Sequence, residues 1–406
     1  MTSDTSGISK LDLKRQNRMH ILRLLRNNGP TSRIDIAREI GITKSAVTII
    51  TNEMIEQGVL FEKGEMLPRG SRVPRGRKKI LLDFDETHRL GLGLVLDNGQ
   101  LSIGLCTLKG RPVERQAVPL GADCSSTQIT AAIREMYEEM AYKNDLKPET
   151  VVGMGVCISE EYHQVLGITR DAEGRVDYQA FEKALREFCS LPVKFGSLAD
   201  GIAMAEMDYH PEDEQPPLNM VVFRCDQAPD CSIITGREIY SGSFERPGCM
   251  IRQPGEEDHS ILQLHSMIQE TFSSTVDQKL EELFASHQAP VLEAQAPEGL
   301  EEFRSRFRAA DLLPEDAAIV TLLERIRRGY RAALECFTVF YAPDRIVYFG
   351  RHCVQSAMSA AIEEVKNSFA PHTIPTIRPS IIDPDEYHRA ACALATREFF
   401  INKGGY

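Results

Sequence analysis

Two groups of side chains in the first 80 residues have the types and spacing to grip a polyanion. Lys44, Ser45, Thr48 and Asn52 recur at helical intervals on one face, with Ser32 and Arg33 just upstream. Short polar and cationic side chains on such a face reach base edges in a DNA major groove without filling it. The second group lies in RGSRVPRGRKK, Arg69–Lys79, and comprises Arg72, Arg75, Gly76, Arg77 and Lys78. Gly76 lets the backbone lie flat between two guanidinium groups. That shape fits a narrow minor groove, where arginine is drawn to the stronger negative potential of A·T-rich stretches. An interdomain linker has a similar Gly/Pro/Arg composition, so wing and hinge are both open readings of the segment.

The elements that must hold these groups follow from local signals. A first helix spans Lys10–Asn27, with Leu13, Ile21, Leu22, Leu24 and Leu25 turned inward and basic residues outside. Gly29-Pro30 ends it. Ser32 caps the next helix, with Asp35 three residues on, and Ile34, Ala37 and Ile40 form its buried stripe. Gly41-Ile42 makes the turn, and Thr43 caps a third helix that runs to Gln57, with Val47, Ile50, Met54 and Ile55 facing its neighbours. Gly58 stops that helix and Val59–Glu62 begins a strand. The arrangement predicts a winged helix-turn-helix reading double-stranded DNA. A three-helix protein-binding module shares the topology and stays open.

Charge divides the chain in the same place. Residues 1–80 carry +8 and the remainder −20, within a total of −12. A basic end on an acidic body holds DNA at one end and repels it elsewhere. At 406 residues the chain exceeds one core, and 42% hydrophobic residues support folded domains. No run approaches the ~18 apolar residues of a membrane span, and MTSDTSGISK lacks the order of a signal peptide. Ten cysteines are scattered singly, without a C-x-x-C pair. They predict buried thiols in a cytoplasmic protein, with no disulfide framework and no metal site.

From Ile80 strands and helices alternate: Leu90–Leu96 and Leu101–Leu108 as a hairpin, helix Thr127–Tyr142, strand Val151–Ile158, helix Gln179–Cys189 and strand Val193–Phe195. Strands Met220–Arg224, Ser232–Ile234 and Arg345–Phe349 and helices Cys353–Phe369 and Glu386–Ile401 complete an α/β body of two lobes with a cleft between them. No internal repeat holds its register. The whole chain resembles the repressor branch of the ROK family (repressors, open reading frames and sugar kinases). The N-terminal match is ILRLLRNNGPTSRIDIAREIGITKSAVTIITNEMIEQGVL and RGRKKILLDF. The body matches at GMGVCIS, LPVKFGSLADGIAMAE, GREIYSG, PDRIVYFG and AACALA. The Pro74–Arg77 core resembles an AT-hook.

The family resemblance implies a winged helix-turn-helix over 1–82 and a two-lobed actin-like (ribonuclease H-like) sugar-kinase body. Residues 83–198 form the first lobe, against which 386–401 pack back, and 199–385 form a dimerising second lobe. It also implies a homodimer, or a dimer of dimers, on an operator. The family's kinase residues are altered here. The aspartate of its Asp-x-Gly-Gly-Thr phosphate loop aligns with Gly93, and its glycine-rich second loop with Gln227–Ile234, where Pro229 removes a donor and Asp230 adds repulsion. A Pro-Gly turn becomes Ser159-Glu160, an Asn-Asp pair becomes Ala199-Asp200, and Gly-Glu-x-Gly-His becomes Gly248–Arg252. The zinc-binding histidine and cysteine cluster are missing. These losses point to a regulator with no catalytic residues beyond a remnant Asp200, and with no cofactor. Asp200, Glu206 and Arg252 are the candidate contacts for a sugar or anionic-sugar effector. Asp200 also reads as the cap of a helix Gly201–Met207, and Arg252 as a surface residue paired with Glu256, Glu257 or Asp258. A body that only dimerises, and an active kinase with an added DNA-binding head, are the other readings.

Overall fold

The computed structural model describes residues 10–65, 79–121, 123–171, 175–210, 214–225, 231–240, 317–351, 353 and 355–406. The chain divides into two compact units, 1–216 with 381–406, and 217–380.

In the first unit, helices α1 (Lys10–Asn28), α2 (Arg33–Ile40) and α3 (Lys44–Glu56) are joined by a two-residue strand β1 (Thr31–Ser32) and followed by β2 (Leu60–Glu65) and β3 (Ile80–Phe84). The small sheet runs β1-β3-β2, all antiparallel. The buried faces differ in part from the helical stripes in the sequence. Helix α2 buries Ile36 and Ala37, and leaves Ile34 exposed. In α1, Leu13 is exposed, whereas Arg18 and Arg26 are buried.

The body of this unit is a five-stranded sheet ordered β10-β7-β4-β5-β6, built from β4 (Leu90–Asp97), β5 (Gln100–Thr107), β6 (Pro112–Pro119), β7 (Val151–Ile158) and β10 (Val193–Gly196). A short ribbon, β8 (Thr169–Arg170) with β9 (Val176–Asp177), stands beside it in sequence. Helices α4 (Ser126–Lys143) and α5 (Gln179–Arg186) supply apolar faces to one core. That core takes Leu92, Leu94 and Leu96 from β4, Leu101, Ile103 and Leu105 from β5, and Met154, Val156 and Ile158 from β7.

Because successive strand residues point to opposite faces, the other face of the sheet presents Gly91 and Gly93, Gly104 and Cys106, and Gly153 and Gly155. Two helices cover it, α6 (Leu198–Asp208) and a C-terminal helix, His388–Thr396. The second is made almost wholly of small buried residues, Ala390, Ala391, Cys392, Ala393 and Ala395. Glycine opposite alanine lets backbone approach backbone. A Cβ on Gly155 would lie 1.8 Å from the Ala391 carbonyl oxygen. Helix α6 belongs to this unit and not to the second lobe expected from the sequence, because it packs on that C-terminal helix.

The second unit repeats the strand pattern. Strands β11 (Met220–Arg224), β12 (Cys231–Thr235), β13 (Glu238–Ile239), β14 (Arg345–Phe349) and β15 (Thr376–Pro379) form a sheet ordered β13-β12-β11-β14-β15. Helices α7 (Ala317–Phe340) and α8 (Gln355–Ser368) pack around a core that includes Phe223, Tyr330, Leu334, Ile346, Met358 and Val365. The C-terminal helix in the first unit is α9, and a single π-helical turn, Arg397–Ile401, continues it.

Gly155→Ala should destabilise the first unit by about 3 kcal/mol or more, because neither backbone can yield without parting the helix from the sheet. Gly236→Ala, at φ +60 in open space, should cost only about 1 kcal/mol. Urea unfolding of the two variants beside the parent chain checks the contrast, and equal losses would remove the close-packing argument.

Candidate nucleic-acid interface

Capping fixes the reading head. Ser32 caps α2 by accepting the Asp35 N–H, and its hydroxyl donates to the Asp35 carboxylate at 2.6 Å. That hydrogen bond, with help from Lys79, holds the Asp35 carboxyl below its ordinary pKa. Gly41 closes α2 in the left-handed region, φ 75, and Thr43 caps α3 by accepting the Ala46 N–H. Val47, Ile50, Thr51 and Met54 point inward. Lys44, Ser45, Thr48, Ile49 and Asn52 are exposed together on the opposite side.

Ile49 is a residue the sequence reading passed over. It is 69% exposed, in the middle of that polar face. An apolar side chain held there has no folding role and suits the C5-methyl of thymine. The signal was available, since Ile49 falls out of step with Val47, Ile50 and Met54.

Two expected contacts have structural duties instead. Ser32 is 3% exposed and fully engaged as a cap, so it is withdrawn from the DNA-contact set. Arg33 fans out to Thr51 Oγ1 and Asn52 Oδ1, both at 3.1 Å, and to the Glu62 carboxylate at 3.0 Å. It braces α2, α3 and β2, and aims Asn52 with its amide nitrogen outward. Arg72, Arg75, Gly76, Arg77 and Lys78 lie outside the described residues. The segment holding them joins β2 to β3, whose ends pair at Glu65 and Ile80.

The head is not tethered loosely to the body. Ile21, Leu22, Val47, Ile50 and Met54 share one core with Leu108, Val152, Ala395, Phe400 and Ile401. Around that core the C-terminal residues supply acceptors to α1. Arg18 Nε donates to the Gly404 carbonyl at 2.7 Å, Arg18 NH2 donates to Gln57 Oε1 at 2.8 Å, and the guanidinium lies 4.0 Å over the Tyr406 ring. Arg15 and Arg23 donate to the carbonyl and side-chain oxygens of Asn402. Gly404 and Gly405, both near φ +77, thread this passage, and a Cβ on Gly405 would meet Val59 at 2.9 Å.

Deeper still, Asp208 at the end of α6 pairs with Arg26 at 3.0 Å and with Arg397 at 3.1 Å. The side chains of Arg26 and Asp208 are 3% and 1% exposed. Burial pushes the Arg26 pKa down, and Asp208 pulls it back up.

The remaining candidate residues separate. Asp200 is not a cap: Ser197 caps α6 and accepts the Asp200 N–H at 3.0 Å, which leaves the Asp200 carboxylate in the first helical turn, half-buried. Glu206 is wholly buried and accepts the Ile381 N–H at 2.7 Å. It clamps the returning chain and has no surface for an effector. Arg252 lies outside the described residues. Gly93 sits mid-strand, where a Cβ would lie 2.0 Å from the His388 carbonyl oxygen, and the hairpin turn is Asn98-Gly99. Asp97, at the base of that turn, is buried and accepts from Ser159 Oγ and from Asn98 Nδ2. The nine described cysteines are free thiols. Among the described residues no group of three or more His, Cys, Asp or Glu could hold a metal ion, and no helix is long and apolar enough to cross a membrane.

Asp208→Asn should cost about 3–5 kcal/mol, because two arginines then lose a buried counter-ion. Arg26→Met should cost clearly less, since Arg397 still neutralises Asp208. Denaturant unfolding of both variants reads the difference, and the reverse order would show that Asp208 is not the centre of the junction.

Residues 14–60 match a family model described as winged helix-turn-helix DNA-binding. A comparison with curated protein sequences finds no significant match. Among solved structures, the chain is similar to a ROK family transcriptional regulator, a homologue of the E. coli MLC protein. Identity is 19%, coverage 97% of each chain, and the TM-score 0.63. It is also similar to a ROK family glucokinase from Streptomyces griseus in complex with glucose and AMPPNP, at 14% identity, over 76% of this chain and 98% of that one, with a TM-score of 0.52. The chain thus joins an N-terminal winged helix-turn-helix to a body with the actin-like fold of the ROK sugar kinases.

Proposed function

We propose that the protein is a transcriptional regulator, most simply a repressor of carbohydrate-related genes, working in the cytoplasm without enzymatic activity. The observation that carries this reading is the face of α3. Five exposed side chains on a doubly capped helix stand ready for a major groove, in a segment of net charge +8. Lys44 and Asn52 suit base edges, Ser45 and Thr48 suit bases or phosphate, and Ile49 suits a thymine methyl. Thr48 Oγ1 donates to the Lys44 carbonyl at 2.9 Å in the free protein, which leaves its lone pairs for an incoming donor.

A homodimer would set two such heads on successive major grooves, about 34–36 Å apart, and so select a palindromic operator. Arg75 and Arg77 at the wing would enter the adjoining minor groove and favour A·T pairs. A sugar-like effector, neutral or anionic, would be taken at the Asp200 end of α6. With Glu206 committed to the Ile381 backbone, Asp200 is the only one of the three candidate contacts that the described residues leave open to it.

Phosphoryl transfer depends on positioning and neutralising phosphate oxygens. The first hairpin offers Asn98, one glycine and an Asp97 already holding two donors, which argues against that chemistry. ATP with a panel of hexoses should therefore give no sugar phosphate, and turnover abolished by Asp200→Asn would reinstate the kinase reading.

On an operator selected from random DNA, Lys44→Ala and Thr48→Ala should each weaken binding by about 1–3 kcal/mol and relax base preference. Ile49→Ala should lose discrimination chiefly at a thymine. Arg75→Ala should weaken A·T-flanked sites most and flatten the salt dependence by about one unit of slope. Fluorescence anisotropy, with unfolding curves to confirm unchanged stability, is the measurement. Parent-like affinity in all four variants would remove the head from DNA binding.

A further inference from the structure

The glycine-lined face of the first sheet and helix α9 enclose three groups that close packing does not call for: Cys106, Cys392 and His388. Cys106 stands on β5 two residues after Gly104, so both belong to that face. His388 and Cys392 are four residues apart on α9, one turn along the same side of the helix. The His388 ring lies over Gly104, where a Cβ would stand 2.2 Å from its Cδ2. Cys392 Sγ sits 3.3 Å from the carbonyl oxygen of Gly91, the residue directly across the ladder from Cys106, and 3.5 Å from that of Gly104. It is within hydrogen-bonding reach of the Cys106 thiol. All three residues are at most 1% exposed, and among the described residues neither ring nitrogen of His388 makes a regular hydrogen bond.

The two sulfurs are not equivalent. The Cys392 thiol as donor, and then the His388 imidazole, bring the Cys106 thiol down to about 6, although burial opposes them. Burial, reinforced by Cys106, pushes the Cys392 thiol well above its ordinary value. Cys106 is therefore a thiolate near neutrality, and Cys392 keeps its proton. A thiolate is the nucleophile toward peroxides, and a protonated thiol in contact with it is placed to resolve the product.

We propose that Cys106 and Cys392 form an oxidation site for hydrogen peroxide, and that the disulfide they yield bolts α9 to β5. The Cys106 thiolate attacks one peroxide oxygen and the O–O bond breaks. His388, holding the proton that Cys106 gave up, passes it to the departing hydroxide to form water. The Cys392 sulfur then attacks the Cys106 sulfenic acid. As the S–S bond forms the S–O bond breaks, and the hydroxide leaves as water with the Cys392 proton. Two thiols and one peroxide give one disulfide and two waters. Both sulfurs are buried, so peroxide enters through local opening of α9, and the product shuts that opening. The continuation of the bolted helix places Phe400 and Ile401 in the core shared with the reading head.

The test treats the full-length protein with hydrogen peroxide, unfolds it, blocks remaining thiols with N-ethylmaleimide and digests it with trypsin without reductant. The expected product joins peptide 90–109 to peptide 390–397, each of which holds one cysteine, and dithiothreitol should release it. In Cys392→Ala, Cys106 should gain oxygen without a cross-link, whereas in Cys106→Ala, Cys392 should stay a thiol. The oxidised parent should melt about 5 °C or more above the reduced protein, because the bond closes a long loop in the unfolded chain. Hydrogen exchange in α9 should slow as well. An unreacted pair, cross-links between other cysteines only, or oxidation of Cys392 when Cys106 is absent overturns the site. A cross-linked protein that melts no higher overturns the bolt. None of these readouts involves DNA, so a failure of the DNA-binding reading leaves them standing.

Discussion

With the Ala391 carbonyl oxygen lying where a Gly155 side chain would begin, helix α9 rests on the sheet backbone itself. Such contact is available only to glycine opposite small residues, and that face carries Gly91 and Gly93 on β4, Gly104 on β5, and Gly153 and Gly155 on β7. The alternation LGLGL and VVGMG thus does two jobs. Its large residues fill the core beneath α4 and α5, and its glycines let α9 descend. Everything after Thr396 depends on that descent, because the π-turn and the final residues are delivered from the end of α9 to the flank of α1. A helix held a side chain's width further out would leave Arg18 buried without the Gly404 carbonyl, and Arg26 and Asp208 would part.

The consequence is that the reading head and the first body unit share one core. Arg18 and Arg26 are costly residues to bury, and each is tolerated because its partners are fixed by the rest of the fold. The Arg26–Asp208–Arg397 cluster carries two positive charges against one negative, so it rewards one geometry and penalises departures from it. Helix α6 connects this junction to the Asp200 carboxylate. Eight residues separate Asp200 from Asp208, or about 12 Å at helical rise. On the proposed reading, a ligand at the first turn of α6 would act on a strut whose far end grips the head. Coupling by displacement of one packed helix is among the established ways proteins join two sites.

Much of the head was legible because its determinants are local. Ser32, Gly41, Thr43 and Gly58 specify their helix ends through partners within four or five residues, and each end falls where those signals put it. The central strands of the body, β4, β5, β7, β10, β11, β12 and β14, were legible for the same reason, whereas the edge strands β6 and β15 were not. What was hidden depended on distant partners. Nothing near Arg18 announces that Gly404, 386 residues away, will accept its proton, so a basic residue on a helix was read as solvated. In sequence Glu206 reads as a ligand contact, because its clamp on Ile381 spans 175 residues. Ile34 and Ile49 were obscured by a different limit. A helical stripe identifies a face, but which of two adjacent isoleucines is covered depends on where the neighbouring helix crosses.

The two units share a strand order, with an antiparallel three-stranded meander continued by two parallel strands, and yet the sequence shows no repeat. The covering of the two sheets explains how likeness of topology survives without likeness of residues. In the first unit a glycine-lined face meets a helix of alanines. In the second, β11 and β14 bring Val221, Val222, Phe223, Val347 and Tyr348, large residues on both faces, so no helix can approach as closely there. A sheet order needs only that alternate residues be apolar, a condition many sequences meet. Close backbone contact needs particular residues at particular positions. In this chain that demand falls on the unit that carries the head, which is where a ligand-driven shift of a helix would have to be passed on without slack.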